Sequence, residues 1–299
     1  MVGELGPQTD WSKAVTGVDA VVHLAARVHV MQDQASDPLT EFRRVNVEGT
    51  LKLARQAAEA GVRRFVYLSS IKVNGESTGT RPSGRDEGRG TSDEEEKYSA
   101  EQQVLSAENP MSFREEDLPA PQDAYAISKW EAEQGLMALA RETGMEVVII
   151  RPPLVYGPGV KGNFASMLRW VKKGIPLPLG AVRDNRRSFV ALDNLVDLIV
   201  TCLDHPKAAN EVFLVSDGED LSTRELLRRI ARAYGKSSRL IPMPVGIMRF
   251  VAWLMGKQGV ADRLFGSLQI DSSKTREVLG WEPPVSVDEQ LEKIVNRKF

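Results

Sequence analysis

Three short apolar runs, separated by segments with helical periodicity, constrain the fold of this chain most strongly. The runs cover residues 18–26, 64–70 and 145–151 and have the composition of buried parallel strands. Apolar residues recur at helical spacing over residues 38–60, and a later helix is predicted to end before Gly144. Parallel strands joined by helices need right-handed crossovers. This order therefore predicts an α/β fold with a doubly wound parallel sheet.

Small and polar residues follow each predicted strand at its carboxyl end. They are Ala25 and Ala26 after the first strand, Ser69 and Ser70 after the second, and Arg151-Pro-Pro153 after the third. In doubly wound sheets, ligands bind beyond the carboxyl ends of the strands, where small side chains let a ligand approach the backbone. We therefore expect these residues to meet at one ligand-binding edge.

Tyr125 and Lys129 are four residues apart in a predicted helix, so both side chains lie on one face of it. An ammonium group beside a phenol favours the phenolate and lowers the tyrosine pKa from its usual value of about 10. Such a pair predicts a general acid/base for a sugar or alcohol oxygen, and a strand-end serine could hold the same oxygen. The spacing alone is weak evidence, because it arises by chance in many helices.

The composition is that of an ordinary globular protein and excludes several classes of function. The 299 residues carry a net charge of −2, which gives no electrostatic reason to expect nucleic acid as a partner. The single cysteine, Cys202, excludes an internal disulfide and suits a reducing compartment. His23, His29 and His205 form no metal-ligand spacing, so no metal is predicted. The chain opens without a signal-peptide pattern, and we expect a cytoplasmic protein.

The most apolar helical segment, residues 245–256, is too short to cross a bilayer and contains Arg249. We therefore expect no membrane span here. A buried or subunit-facing helix is the preferred interpretation of this segment, ahead of a membrane anchor. Either position would remove its apolar side chains from water.

Residues 83–111 are polar and dense in charge, a composition that buries too little apolar surface to form a packed core. We expect an exposed loop there, with a short helix between residues 93 and 107. Two interpretations stay open for this polar insert: an insertion without a role, and a mobile lid over the site. Beyond it, residues 153–299 mix short strands and helices, which predicts a smaller α/β domain closing over the ligand edge of the sheet.

Seven short motifs follow one another along nearly the whole chain, the polar insert excepted. They are Val22-His-Leu-Ala-Ala26, Asn46-Val-Glu-Gly-Thr50, Leu68-Ser-Ser-Ile-Lys-Val-Asn-Gly75, Tyr125-xxx-Lys129, Arg151-Pro-Pro-Leu-Val-Tyr-Gly-Pro158, Arg187-Ser-Phe-Val190 and Leu279-Gly-Trp281. In this order they resemble the extended short-chain dehydrogenase/reductases of the NAD-dependent nucleotide-sugar epimerase/dehydratase type. Within that family the chain is most similar to bacterial UDP-sugar 4-epimerases and 4-ketoreductases of surface-polysaccharide synthesis.

The resemblance implies a fold, a cofactor and a substrate. Residues 1–152 would form a Rossmann-like dinucleotide-binding domain, and residues 153–299 a nucleotide-sugar domain with some strands and helices returning to the first sheet. The implied cofactor is NAD, with NADP possible, and the implied substrate is a UDP-sugar. Relatives often form homodimers, so a homodimer is expected on the same ground.

The resemblance also implies roles for individual residues. Tyr125 would exchange the proton of the sugar 4-oxygen, Lys129 would hold the nicotinamide ribose and lower the tyrosine pKa, and Ser70 would hydrogen-bond the same oxygen. Cofactor contacts would come from Tyr125 and Lys129 together with Glu4, Leu5, Leu24, Ala25, Ala26, Asn46, Leu68 and Pro152. Substrate contacts would come from Ser70 and Tyr125 together with Asn163, Phe164 and Arg187. A guanidinium such as that of Arg187 suits a diphosphate, because it can bind two oxygens at once.

The sequence departs from the family's pattern at several positions. No Gly-xx-Gly-xx-Gly turn is present, and Glu4 stands in place of the aspartate of a later Gly-Asp-Leu motif. The sequence therefore predicts an N-terminally truncated dinucleotide-binding domain with weak dinucleotide affinity. Leu154 stands where epimerases usually carry an asparagine, and Asn74 replaces a tyrosine. Two alternatives stay open: a UDP-4-keto-6-deoxysugar reductase, and a non-catalytic relative that acts as a binding module.

Overall fold

The structure of the chain, a computed structural model, describes residues 4–28, 37–78 and 112–296. The polar insert at residues 83–111 and His29 lie outside the described residues. The strands are β1 (Ala20–His23), β2 (Arg64–Leu68), β3 (Ser112–Phe113), β4 (Glu146–Arg151), β5 (Leu154–Tyr156), β6 (Phe189–Ala191), β7 (Glu211–Leu214) and β8 (Gln269–Ile270). The α-helices are α1 (Ser12–Val15), α2 (Pro38–Phe42), α3 (Thr50–Glu59), α4 (Ala124–Thr143), α5 (Gly162–Lys173), α6 (Leu192–Asp204), α7 (Thr223–Ala233), α8 (Val245–Leu254), α9 (Gln258–Phe265), α10 (Ser273–Leu279) and α11 (Val287–Asn296).

Strands β1, β2, β4 and β7 form a parallel sheet in that order within the described residues. Tyr67 near the end of β2 pairs with His23 of β1 on one side and with Ile149 of β4 on the other. The carboxyl ends of these strands therefore lie at one edge of the sheet. Two smaller parallel pairs, β3 with β8 and β5 with β6, lie outside it.

Helices cover both faces of the sheet. Successive strand residues point to opposite sides, so each strand packs against helices on both faces. Phe65 and Tyr67 of β2 pack with residues of α3 and α4 on one face. Val66, between them, packs with residues of α6 and α10 on the other face. Burial on both faces explains why the strands read as unbroken apolar runs. The predicted doubly wound parallel α/β sheet is confirmed.

The helical segment predicted over residues 38–60 is present and contains a π-helical stretch, Arg43–Gly49, between α2 and α3. Asp37 begins it by accepting hydrogen bonds from the backbone N–H groups of Leu39 (3.1 Å) and Thr40 (3.3 Å). The wider π turn is a common feature of functional sites. Here it carries Asn46, which is 1% exposed, into the interior.

Asp123 and Gly144 set the two ends of helix α4. Asp123 caps its first turn by accepting a 2.7 Å hydrogen bond from the Ala126 N–H. Gly144 ends the helix in a left-handed conformation, φ 76°, which only glycine adopts without strain. Within the helix, a Cβ on Gly135 would lie 2.7 Å from Leu51 of α3, so this glycine lets the two helices approach closely.

A second core forms beyond β4. Buried side chains of α5, α7 and α11 pack with β5 and β6, and Phe164, Leu227 and Leu291 are among them. Helix α6 and strand β7 instead pack into the main sheet. The predicted division of the chain at residue 152 stays a prediction.

Helix α8 is not buried within the chain, which was one of the two positions expected from its sequence. Met248 is its buried residue, whereas Phe250, Trp253 and Leu254 are 58%, 58% and 63% exposed. The prediction of burial within the chain is therefore wrong for this helix, because no described element covers its apolar face, whereas the subunit-facing position stays a prediction. Among the described residues, no helix is both long and apolar enough to span a membrane.

Candidate active site

Tyr125 and Lys129 lie in the first two turns of α4, as predicted. The Lys129 side chain is buried, and its Nζ donates a 2.6 Å hydrogen bond to the carbonyl of Leu68 at the end of β2. The same nitrogen lies 4.0 Å from the centre of the Tyr67 ring, a cation–π contact. Tyr125 is half-buried, with its ring 6.1 Å from that of Phe42. Lys129 thus ties α4 to the ligand edge of the sheet.

A salt bridge joins the segment that carries Ser70 to the helix that carries Tyr125. Ser70 begins a 3₁₀ turn, Ile71–Val73, and its hydroxyl accepts a hydrogen bond from the Lys72 N–H. Lys72 Nζ lies 2.6 Å from a carboxylate oxygen of Asp123, the cap of α4. Lys72 follows Ser70 by two residues, and Asp123 precedes Tyr125 by two. The bridge therefore brings the predicted serine and tyrosine to the same part of the site.

The pKa of Tyr125 is raised, whereas the spacing of Tyr125 and Lys129 predicted that it would be lowered. Burial raises the pKa of Tyr125 to about 12, and the charge of Asp123 acts in the same direction. Burial lowers the pKa of Lys129 to about 7, against the opposing effect of Glu133. The predicted lowering of the tyrosine pKa by Lys129 is therefore wrong for the free chain. Desolvation outweighs the charge, and the ammonium group points to the Leu68 carbonyl.

Ser69, the neighbour of Ser70, belongs to a buried polar network. Its hydroxyl donates to Glu133, which pairs with Arg151 at 2.6 Å. Arg151 Nη1 also donates to the Asn74 side chain at 3.0 Å, and Asn74 Nδ2 donates to the Arg114 carbonyl at 2.8 Å. The asparagine at position 74, where the family has a tyrosine, is therefore explained by its role in linking Arg151 to the Arg114 carbonyl. Ser69 is turned inward, which leaves Ser70 as the strand-end hydroxyl on the open side.

The predicted cofactor contacts at β1 lie on the open side of the sheet. Leu24 is 56% exposed just beyond β1, Ala25 is exposed and Ala26 is half-buried. Asn46 holds the following residue, Arg27: it accepts a 2.7 Å hydrogen bond from the Arg27 N–H and donates 3.0 Å bonds to the Arg27 carbonyl and to Ser128 of α4. The Asn46 amide therefore ties the end of β1 to α4, beside Tyr125.

Of the other predicted cofactor residues, two lie at the ligand edge of the sheet and two lie elsewhere. Leu68 and Pro152 offer backbone carbonyls at the ligand edge, but Lys129 and the Ile71 N–H already occupy them. Leu5 lies against the backbone of Gly49, and Glu4 is an exposed side chain whose carboxylate lies 3.5 Å from Arg44. The structure does not bring Glu4 and Leu5 into contact with Tyr125 or Lys129.

The predicted substrate contacts divide into an open group and a buried one. Asn163 is exposed at the start of α5, whereas Phe164 is 1% exposed with its ring 5.4 Å from Tyr156 in the second core. Phe164 therefore belongs to the second core and presents almost no surface to a ligand. Arg187 Nη1 donates to the Gly266 carbonyl at 3.2 Å.

A second arginine, Arg263 of α9, lies close enough to affect Arg187. Burial lowers the pKa of Arg187, the positive charge of Arg263 lowers it further, and the negative charge of Glu76 opposes both effects. Guanidinium groups bind diphosphate oxygens well, so Arg263 joins Arg187 as a candidate contact for the substrate. Sequence reasoning missed Arg263, because no motif surrounds it, and also missed Glu133, whose only signal is its position one turn after Lys129.

Comparison with known proteins identifies the family. Residues 2–216 match the family model described as NAD dependent epimerase/dehydratase. A Vibrio cholerae protein named UDP-glucose 4-epimerase is 48% identical over 288 residues, which cover 96% of this chain and 79% of that protein.

Solved structures show the same fold. UDP-N-acetylglucosamine 4-epimerase from Bacillus cereus superposes with a TM-score of 0.72 at 22% identity, covering 99% of this chain and 84% of that one. UDP-glucuronic acid 4-epimerase from the same organism, solved with NAD, gives a TM-score of 0.68 at 20% identity and covers 97% and 77% of the two chains. The family match and the sheet agree, and this chain belongs to the NAD dependent epimerase/dehydratase family.

Proposed function

We propose that the chain is an epimerase that uses NAD to invert C4 of a UDP-sugar in the cytoplasm, for surface-polysaccharide synthesis. One observation carries the proposal: Lys129 is anchored at the end of β2, while the Lys72–Asp123 bridge joins the Ser70 segment to the Tyr125 helix. The 48% identical relative named UDP-glucose 4-epimerase supports the same reaction class. The buried Cys202 suits a reducing compartment.

The residues present fit the nicotinamide and ribose half of NAD. Lys129 and Tyr125 would hold the ribose, and Leu24 and Ala25 are exposed just beyond β1 at the same edge of the sheet. When bound, NAD supplies the acceptor and donor for the hydrogen on sugar C4, and its positively charged ring favours the phenolate of a neighbouring tyrosine. That charge offsets the burial that holds the pKa of Tyr125 near 12 in the free chain.

The chain's own residues handle the proton of the sugar. Tyr125 accepts the proton of the 4-hydroxyl through its phenolate oxygen, and Ser70 holds the same oxygen by a hydrogen bond. Tyr125 then returns the proton to that oxygen after the sugar has presented its other face. Because Tyr125 both takes and returns this proton, the cycle is balanced without a second acid or base in the site.

The diphosphate of the substrate would lie between Arg187 and Arg263. The repulsion between these guanidinium groups is relieved when an anion binds, because each gains an opposite charge. The exposed Asn163 would donate hydrogen bonds from its side-chain amide, and the buried Phe164 ring would hold the start of α5 in place. Recognition of the nucleotide thus comes from the second core, whereas the chemistry comes from the sheet.

A one-way reductase of UDP-4-keto-6-deoxysugars is the second candidate. Leu154 favours it: its side chain is 41% exposed directly after the strand-end Arg151-Pro-Pro153 sequence, where an apolar group suits a sugar that has lost a hydroxyl. Oxidation of the reduced cofactor on adding such a ketosugar, with no interconversion of UDP-hexoses, would assign the chain to this class.

Calorimetric titration with NAD and with UDP separately tests the proposed division of the site. Lys129→Met should weaken NAD binding at least about tenfold and leave UDP binding unchanged, since one charge-assisted hydrogen bond is lost. Arg187→Met should do the reverse. Failure of the wild-type chain to bind NAD would contradict the proposal and favour a non-catalytic binding module.

A further inference from the structure

Exposed apolar side chains concentrate in one segment that the proposed function does not use. They are Ile241, Ile247, Phe250, Val251, Trp253, Leu254, Met255 and Val260, each between 41% and 63% exposed, and we call them the α8 surface. Phe250 and Trp253 stack with ring centres 6.0 Å apart. Single exposed apolar residues are ordinary, but a contiguous group of them marks an interaction surface.

The charge of this segment has one sign. From Arg239 to Ala261 the sequence contains three cations, Arg239, Arg249 and Lys257, and no acidic residue. Asp262, at the end of the segment, lies 3.7 Å from Arg249 in an exposed ion pair. The partner of the α8 surface should therefore be apolar in part and negatively charged.

An arginine-lined cavity of about 340 Å³ lies beside the segment. Arg183, Arg224 and Arg228 line it, together with Leu240 and Pro242, which directly precede α8. Within the part of the chain that the structure describes, the buried Arg224 Nε has no hydrogen-bond partner and no residue lining the cavity is acidic. An unpartnered buried guanidinium nitrogen in such a cavity favours an anion with several oxygens, such as a phosphate group.

We infer that the α8 surface docks on an anionic lipid bilayer, with α8 lying in the plane of the interface and the arginine cavity receiving lipid phosphate. A helix of ten residues with aromatic and aliphatic side chains and flanking cations suits that position, whereas it is too short to span. Each cation near an anionic bilayer adds to the attraction. A second copy of this chain would be a poorer occupant, because it would bring two positive surfaces together.

Flotation of the 299-residue chain with lipid vesicles tests this inference, which does not depend on the proposed reaction. The wild type should float with vesicles of phosphatidylcholine and phosphatidylglycerol, bind pure phosphatidylcholine weakly, and dissociate as salt rises. Phe250→Ser/Leu254→Ser should reduce binding about tenfold or more, because two apolar side chains no longer enter the interface. Arg183→Glu/Arg228→Glu should abolish the preference for the anionic vesicles.

Val196→Ser/Val200→Ser is the matched control, because these side chains are 51% and 59% exposed at the same four-residue spacing on α6. This variant should bind vesicles as the wild type does. Thermal melting checks that all variants fold. Equal binding by the α8 double variant, or no binding by the wild type, would overturn the inference. If the α8 double variant instead splits an oligomer while vesicle binding is unchanged, the surface is a subunit interface and the inference is wrong.

Discussion

Three groups around Lys129 favour its charged form: the Leu68 carbonyl, the Tyr67 ring and the negative charge of Glu133. Burial removes water from the ammonium group, and this cost brings its pKa to about 7 even though all three groups favour the charged form. Spacing along the helix predicted that Lys129 and Tyr125 lie together. It could not predict their pKa values, because burial depends on residues from β2 and α2 that are distant in sequence.

The buried ion pair between Glu133 and Arg151 should stabilise the fold. Glu133→Gln leaves Arg151 as an unpaired buried cation, and we expect the free energy of unfolding to fall by about 3 kcal/mol. Urea denaturation measures it. The control is Glu131→Gln on the same helix, whose partner Arg43 is exposed, and this change should cost less than about 1 kcal/mol. Equal losses for the two variants would refute the buried pair as a stabilising contact.

His23 should make stability depend on pH. Burial and the charge of Lys129 lower its pKa from 6.5 to about 4 in the folded chain, with Nε2 2.9 Å from the Thr50 hydroxyl. Between these values the unfolded chain binds more protons. The contribution of His23 to stability is therefore fully present above pH 6.5 and is lost as pH drops to 4, by about 3 kcal/mol. His23→Gln should remove this part of the slope in denaturation at several pH values; an unchanged slope would exclude His23 as its source.

At the scale of elements, the strands were predictable because both faces of the sheet are covered, which makes each strand an unbroken apolar run. The cap and stop of α4 were equally local, since Asp123 and Gly144 act on adjacent backbone groups. The exposure of α8 was not predictable. Its sequence is apolar on nearly all sides, and only the absence of a covering element in the described structure shows that the face is open.

The Lys72–Asp123 bridge should affect catalysis more than folding. Lys72→Met frees the 3₁₀ turn after Ser70 from the start of α4, and we expect kcat to fall about tenfold because Ser70 and Tyr125 lose their fixed separation. The half-exposed bridge should change the free energy of unfolding by less than about 1 kcal/mol.

Lys274→Met is the matched control for that bridge. Lys274 and Glu211 form a pair of similar length and exposure, at 2.9 Å, but Glu211 lies at the amino end of β7, away from the carboxyl ends of the strands. It should leave kcat unchanged. If Lys72→Met keeps the wild-type kcat, or if both variants lose it equally, the bridge does not position the site.

At the scale of the whole molecule, apolar side chains pack on both faces of one parallel sheet, and a second core forms beyond β4. The order of strands and helices predicted that sheet and its ligand edge. The proximity of Arg263 to Arg187 could not be predicted in this way, because the two residues are far apart in sequence and no motif joins them. The resemblance to known motifs supplied Arg187, whereas Arg263 needed the three-dimensional arrangement.

Conversion of a UDP-hexose to its C4 epimer, followed by proton NMR of the sugar, tests the proposed function most directly. The wild-type chain with NAD should interconvert UDP-galactose and UDP-glucose or the corresponding N-acetylated pair. Tyr125→Phe, which removes only the hydroxyl, should slow the reaction at least about 100-fold. Tyr234→Phe, at the end of α7 and away from the sheet edge, should not. Equal rates for Tyr125→Phe and the wild type would contradict the assignment of Tyr125 as the acid/base of the reaction.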